Sequence, residues 1–164
     1  MNRPVRVSVL TVSDSGARGE RDADLSGDAI VEWVRGEGFE VVGRDLVFDE
    51  TDSIAHRLCT WADDGGTDII LTTGGTGLAP RDVTPEATLA VIDRNVPGIA
   101  ESIRAFGAAK LPNAILSRGI AGLRGETLIV NLPGSPGGVK DGLQVLTPIL
   151  RHAVEIICGE PSGH

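Results

Sequence analysis

A chain of 164 residues has the size of one ordinary domain, and 41% hydrophobic against 23% charged residues is the balance of a folding globular protein, not of a disordered or fibrous one. The formal charge of -8 argues against a nucleic-acid partner, whose backbone needs a basic face, although an anionic small molecule can still be held by local amides, arginines and a bridging metal. No apolar run reaches the roughly 18 residues of a membrane span, and the first residues lead straight into an alternating strand pattern, so a cytoplasmic protein without a membrane partner is expected.

In chain order, the β-branched run 6–12 predicts a first strand, and the polar stretch 13–24 a loop that could form the lip of a ligand site. Ile30, Trp33 and Val34 recur at helical spacing from about Ser26, with Gly38 where a helix C-terminal glycine belongs. Residues 39–48 predict a second strand closing on Asp49, and Ile54, Leu58 and Trp61 mark one face of a helix ending near Gly65 and Gly66. A dense strand over 68–73 runs into the glycine-rich segment 74–83, after which Thr84 is read as the cap of a third helix, with Pro85 at its first position and Glu86 favourable in its first turn. That helix is broken at Val96-Pro97-Gly98. A further helical segment runs to about Ala109, and a short apolar stretch, Ala114 to Leu116, precedes Ser117. The last buried strand, 127–130, leads into Pro133-Gly134-Ser135-Pro136 and one long terminal helix to about Cys158. Cys59 and Cys158 fall inside helical patterns, lack metal or dithiol spacing, and are expected to be buried.

Alternating strands and helices with short connections predict an α/β fold with a mostly parallel sheet and right-handed crossovers, one domain over 1–164 with a loose tail at 160–164. In such a sheet the carboxyl ends of the strands share one edge, where ligands bind. The loops beginning at Ser13, Asp49, Gly74 and Pro133 should therefore converge on one cleft. Bare backbone amides in Gly74, Gly75, Thr76 and Gly77 suit an anion cradle, although no Walker Lys-Ser or Lys-Thr pair follows and a glycine-rich turn can be simple turn chemistry. The segment 133–138 enters a helix N-terminus, a second place for negative charge or an ordinary turn. Asp49 and Asp82, acidic where anions are expected, make electrostatic sense with a divalent cation between them; each could instead be a solvated or capping carboxylate. Lys140, Arg81 and Arg118 are the cations nearest these loops, and the isolated histidines are assigned no chemistry.

The run from Thr72 to Thr88, Thr-Thr-Gly-Gly-Thr-Gly-Leu-Ala-Pro-Arg-Asp-Val-Thr-Pro-Glu-Ala-Thr, strongly resembles the signature of the MogA and MoaB molybdenum-cofactor biosynthesis family. Ser13-Asp14, Ala114-Ile115-Leu116-Ser117-Arg118 and Asn131-Leu132-Pro133-Gly134-Ser135-Pro136 extend the likeness over nearly the whole chain. The resemblance implies a single-domain three-layer α/β/α sandwich, commonly a homotrimer. It also implies Mg-ATP-dependent adenylylation of molybdopterin, with pyrophosphate released, and handover to a molybdate-inserting MoeA-like partner. It assigns catalysis and Mg2+ to Asp49 and Asp82. Pterin and nucleotide binding falls to Ser13, Asp14, Thr73, Gly74, Gly75, Thr76, Gly77, Ser117, Pro133, Gly134, Ser135, Pro136 and Gly138. The competing readings are a non-catalytic molybdopterin-binding or scaffold protein of the same fold, and a nucleotide-processing enzyme sharing the domain.

Overall fold

The computed structural model describes residues 2–160, so most of the tail expected to be loose lies outside the described residues. Six strands form one sheet in the order β2-β1-β3-β6-β5-β4. They are β1 (Arg6–Val12), β2 (Glu40–Val47), β3 (Ile69–Thr73), β4 (Arg94–Asn95), β5 (Ala121–Arg124) and β6 (Thr127–Leu132). The first four in that spatial order run parallel, while β5 and β4 add an antiparallel edge.

Strand periodicity divides the core into two layers. Val7 and Val9, Ile69 and Leu71, and Leu128, Val130 and Leu132 face one side, packed by α2 (Leu25–Gly36), α5 (Pro97–Ala108), α6 (Pro136–Leu146) and α7 (Leu150–Ile157). Leu10 and Val12, Ile70 and Ile129 face the other, covered by α3 (Thr51–Asp63) and α4 (Thr84–Val91) through Ile54, Leu58, Ala87 and Val91. The arrangement is the expected three-layer α/β/α sandwich. Among the described residues no helix is long and apolar enough to cross a membrane.

Several local expectations are corrected. The loop 13–24 contains a single-turn helix, α1 (Asp14–Ala17), capped by the Ser13 side chain. Helix α4 ends at Val91, well before Pro97, because residues 94–95 and 121–124 pair as β4 and β5; both are too short to be read by period. Its N-cap is Val83, and Thr84 is already helical. Residues 112–116 form a 3-10 helix. The terminal helix is two helices, α6 and α7, parted around Pro148, whose missing N–H and ring exclude it from a helix interior. Cys158 is exposed at the end of α7 and Cys59 only half-buried, so neither is the buried thiol expected.

Candidate active site

The sheet order reverses between β1 and β3: the chain leaves β1 for β2 on one side and later returns to β3 on the other. Loops therefore part at the carboxyl ends of β1 and β3, which opens a crevice there. A cavity of about 700 Å3 occupies it, lined by Ser13 and Asp14 after β1, Asp49 after β2, Thr73, Gly74 and Gly75 after β3, and Gly134 and Pro136 after β6. A second cavity of about 640 Å3 lies beyond, lined by Thr76, Gly77, Ser117, Pro133, Ser135 and Gly138 together with Ile103, Gly107, Leu111 and Leu116. Gly75, Asp82 and Gly134 line both, and form the ridge between them. All fifteen residues singled out in the sequence thus lie on one or the other cavity.

Close backbone approach makes that ridge. Gly74 has φ +98°, and a Cβ there would stand 2.2 Å from the Val12 carbonyl oxygen; a Cβ on Gly134 would come within 3.3 Å of the Gly74 Cα. The Thr73 hydroxyl donates to the Pro133 carbonyl at 2.7 Å, and the Ser26 hydroxyl to the Gly134 carbonyl at 2.7 Å. The turn itself is gripped from below. Thr84 donates from Oγ1 to the Gly74 carbonyl and from its main-chain N–H to the Gly75 carbonyl. A fully buried chain of polar groups stands behind it: the Thr88 hydroxyl donates to the Thr84 carbonyl, and the Asn131 amide donates to Thr88 and Thr72 while accepting from the Ile120 N–H. With the carbonyls so held, the N–H groups of Gly75, Thr76, Gly77, Gly134 and Ser135 donate to no acceptor among the described residues. Free amides on glycine-rich backbone, beside the N-terminus of α6, are suited to phosphate oxygens.

The acidic residues are arranged around the same ridge. Asp49 Oδ2 accepts from the Asp14 N–H at 2.8 Å, and Asp14 Oδ1 accepts from the Asp49 N–H at 3.0 Å. Arg81 forks onto Asp14 with bonds of 2.9 and 2.8 Å, which holds the Asp14 carboxyl below its ordinary range. No cation is forked onto Asp49 in this way among the described residues. Burial pushes its carboxyl up, and the neighbouring charges of Asp14 and Asp82 add to the rise. Asp82 accepts from the Ala79 N–H at 3.0 Å and stands on the border of both cavities.

Asp49 and Asp82 repel each other across a half-buried cleft whose nearest cation, Arg81, is taken by Asp14; their hard carboxylate oxygens fit a magnesium ion, which they would hold there and which would offset that repulsion. Among the described residues no group of three or more His, Cys, Asp or Glu side chains converges on one point.

Other sequence expectations are redistributed. Lys140 is exposed on α6 and lines neither cavity; Arg81 is paired with Asp14; Arg118 turns away to main-chain carbonyls. Arg18 and Arg21 line the first cavity, and Arg104 and Asn113 the second, without having been singled out. For the two loop arginines the available signal was their place in the polar stretch after β1. For Arg104 on α5 and Asn113 in the 3-10 helix there was none, because neither stands in a loop that follows a strand.

Comparison with known proteins gives a consistent result. A family model described as "Probable molybdopterin binding domain" matches residues 8–152. The molybdopterin adenylyltransferase of Helicobacter pylori (strain J99) is 38% identical over 157 residues, spanning 94% of this chain and 89% of that protein. The molybdenum cofactor synthesis protein cinnamon of Drosophila melanogaster is 42% identical over 156 residues, but the match spans 93% of this chain and only 26% of that much longer protein. The crystal structure of the molybdopterin biosynthesis enzyme MoaB from Thermus thermophilus superposes with a TM-score of 0.89 at 54% identity, covering 96% of this chain and 98% of that one.

Proposed function

The chain belongs to the molybdopterin-binding domain family, and from that membership and its divided cleft we propose that it is a molybdopterin adenylyltransferase acting in molybdenum-cofactor biosynthesis. The observation that carries the reading is the ridge of Gly75, Asp82 and Gly134 shared by two cavities, since a transfer between two bound phosphorylated molecules needs one point at which both are held.

In this reading ATP and molybdopterin occupy the two cavities with their phosphates meeting on the ridge. An oxygen of the pterin phosphate attacks the α-phosphorus of ATP, the bond to the bridging β-phosphate oxygen breaks, and pyrophosphate leaves with the electron pair. Such a displacement asks the protein for alignment and charge neutralisation more than for covalent chemistry. The free amides of Gly75 to Gly77 and of Gly134 and Ser135 supply fixed partial positive charge to phosphate oxygens. Asp49 and Asp82 would hold Mg2+, which when bound neutralises charge on the triphosphate and orients it. Ser13, Asp14 and Thr73 shape the first cavity, and Ser117, Pro133, Ser135 and Gly138 the second.

The same reading carries a cytoplasmic homotrimer that hands its product to a molybdate-inserting MoeA-like protein. Its test is incubation of the purified protein with molybdopterin, ATP and magnesium, followed by quantification of adenylylated pterin and pyrophosphate. Product that requires all three components supports the enzyme; pterin binding without product, under conditions in which an active relative turns over, replaces it by the scaffold reading.

A further inference from the structure

Arg118, just beyond the 3-10 helix, places its guanidinium under the loop that joins β3 to α4. Nε donates to the Gly77 carbonyl at 2.8 Å and Nη2 to the Asp82 carbonyl at 2.6 Å, while Nη1 pairs with the Glu86 carboxylate. Its main-chain N–H donates to the Thr76 carbonyl at 2.8 Å. One side chain thus joins the two ends of the excursion 77–82.

Beyond this clamp, the one other outside anchor is Arg81, whose guanidinium forks onto Asp14 of the loop after β1. Residues 78–81 are all exposed, and Leu78 keeps 66% of its accessible surface, so no side chain there is anchored in the core. Within the loop, Asp82 donates its N–H to the Ala79 carbonyl and accepts from the Ala79 N–H on its carboxylate. The direction of that carboxylate therefore follows the shape of the loop, which is held from outside by Arg118 at its two ends and by the Arg81 fork onto Asp14 between them. All three guanidinium nitrogens are engaged by protein acceptors, so Arg118 is not poised as a phosphate ligand. A planar fork can bridge two separate carbonyls in fixed geometry, whereas a lysine ammonium offers a single point.

We propose that Arg118 is a positioning residue that sets the Asp82 carboxylate between the two cavities by clamping the carbonyls of Gly77 and Asp82. The proposal rests on the reading of Asp82 as a magnesium-holding residue. Residues that orient a metal-holding carboxylate typically cost about 10- to 100-fold in metal affinity or activity when removed.

The test uses the full chain with Arg118→Ala, Arg118→Lys and Glu86→Gln, checked for folding by thermal melting. Mn2+ is titrated into each protein saturated with a non-hydrolysable ATP analogue and followed by electron paramagnetic resonance. Separately, the magnesium dependence of turnover is measured. Arg118→Ala and Arg118→Lys should weaken Mn2+ binding and lower kcat by about tenfold or more, with nucleotide affinity in the absence of metal changed by less than about twofold. Glu86→Gln, which leaves both carbonyl contacts in place, should stay within about twofold of the parent on both measures. Should Arg118→Ala fail to fold, Arg118→Lys carries the test. Metal affinity and magnesium dependence that match the parent in a folded Arg118 variant would overturn the clamp while leaving the enzyme reading intact. A parent protein that makes no product, or an Asp82→Asn variant that binds Mn2+ as the parent does, would remove the reading beneath the clamp and the clamp with it.

Discussion

Asp14 and Asp49 each donate a main-chain N–H to the other's carboxylate, at 2.8 and 3.0 Å, so the loops after β1 and β2 are locked together by a reciprocal pair. The two carboxylates are not equivalent. Arg81 neutralises Asp14, and burial leaves Asp49 with the higher affinity for a proton.

Asp49→Asn keeps an acceptor for the Asp14 N–H and removes the charge. Because the folded-state pKa of Asp49 is raised, its contribution to stability is full below the ordinary carboxylate range and is lost as pH rises through the raised value. The variant should therefore melt at or slightly above the parent temperature at neutral pH, with the difference vanishing in acid. Turnover should fall by about 100-fold or more, as expected when a metal-holding charge is removed. Melts across pH beside a pyrophosphate-release assay check both arms, and a variant that turns over normally removes Asp49 from the mechanism.

Asp82→Asn separates binding from chemistry. Its side chain is exposed to both cavities and keeps an acceptor for the Ala79 N–H, so folding and pterin binding should persist. A fall in kcat of about 100-fold with KM for pterin little changed is the expected signature of a group acting on the reacting phosphates. A rise in KM alone would make Asp82 a binding residue only.

A methyl group on the ridge should be poorly tolerated. Gly75 has φ +68°, and a Cβ there would lie 2.3 Å from Thr84 Oγ1 and 3.1 Å from Asp49 Oδ1. Gly75→Ala should cost about 1–3 kcal/mol through backbone strain and overlap, and abolish turnover. Gly134→Ala, whose new methyl would press on the Gly74 Cα from an ordinary φ, should cost less stability yet still lower turnover by spreading the two loops. Denaturant titration and the product assay distinguish the two.

The buried amide of Asn131 makes three hydrogen bonds, to Thr72, Thr88 and the Ile120 N–H. Asn131→Ala breaks all three, leaving the buried Thr72 hydroxyl and the half-buried Ile120 N–H without these partners, and should destabilise the fold by about 2–4 kcal/mol. Thr84→Val, similar in shape but without the bond to the Gly74 carbonyl, should cost about 1–2 kcal/mol and raise KM more than it lowers kcat.

At the opposite edge of the sheet, Asp68 is 3% exposed, and its carboxylate accepts from the guanidinium groups of Arg3 and Arg6 and from the Arg6 N–H. Burial opposes its ionisation, but these bonds win and hold the carboxyl well below the usual range. A depressed folded-state pKa gives stability that is present above the unfolded value and lost as pH falls through the folded one. Asp68→Asn should therefore be destabilised by about 2–4 kcal/mol at neutral pH, the gap to the parent narrowing below about pH 4. A gap independent of pH would mean that packing, not charge, is what the substitution removes.

The parallel half of the fold was legible because its strands carry both signals at once: dense β-branched runs, each ending in a loop with glycine or aspartate. The antiparallel edge was not, since Arg94 and Asn95 are two exposed residues with no periodicity and β5 offers only four. Pro148 was a visible break that the apolar pattern around it obscured. Within the cleft, the residues that line the two cavities after β1, β2, β3 and β6 could be picked out by type and position. Arg118 was visible only as a cation near these loops; what it binds was not, because its acceptors are main-chain carbonyls about forty positions away, and carbonyls leave no mark in a sequence.

The shared ridge also bears on how the proposed reaction would end. A product made by joining what two cavities hold separately is a bivalent occupant: while one half is still seated, the other is kept at high effective concentration beside its own cavity. Such a molecule would depart more slowly than either reactant, so residence time rather than bond making would limit each cycle. An accepting protein that engages one exposed half would then speed the departure of the whole.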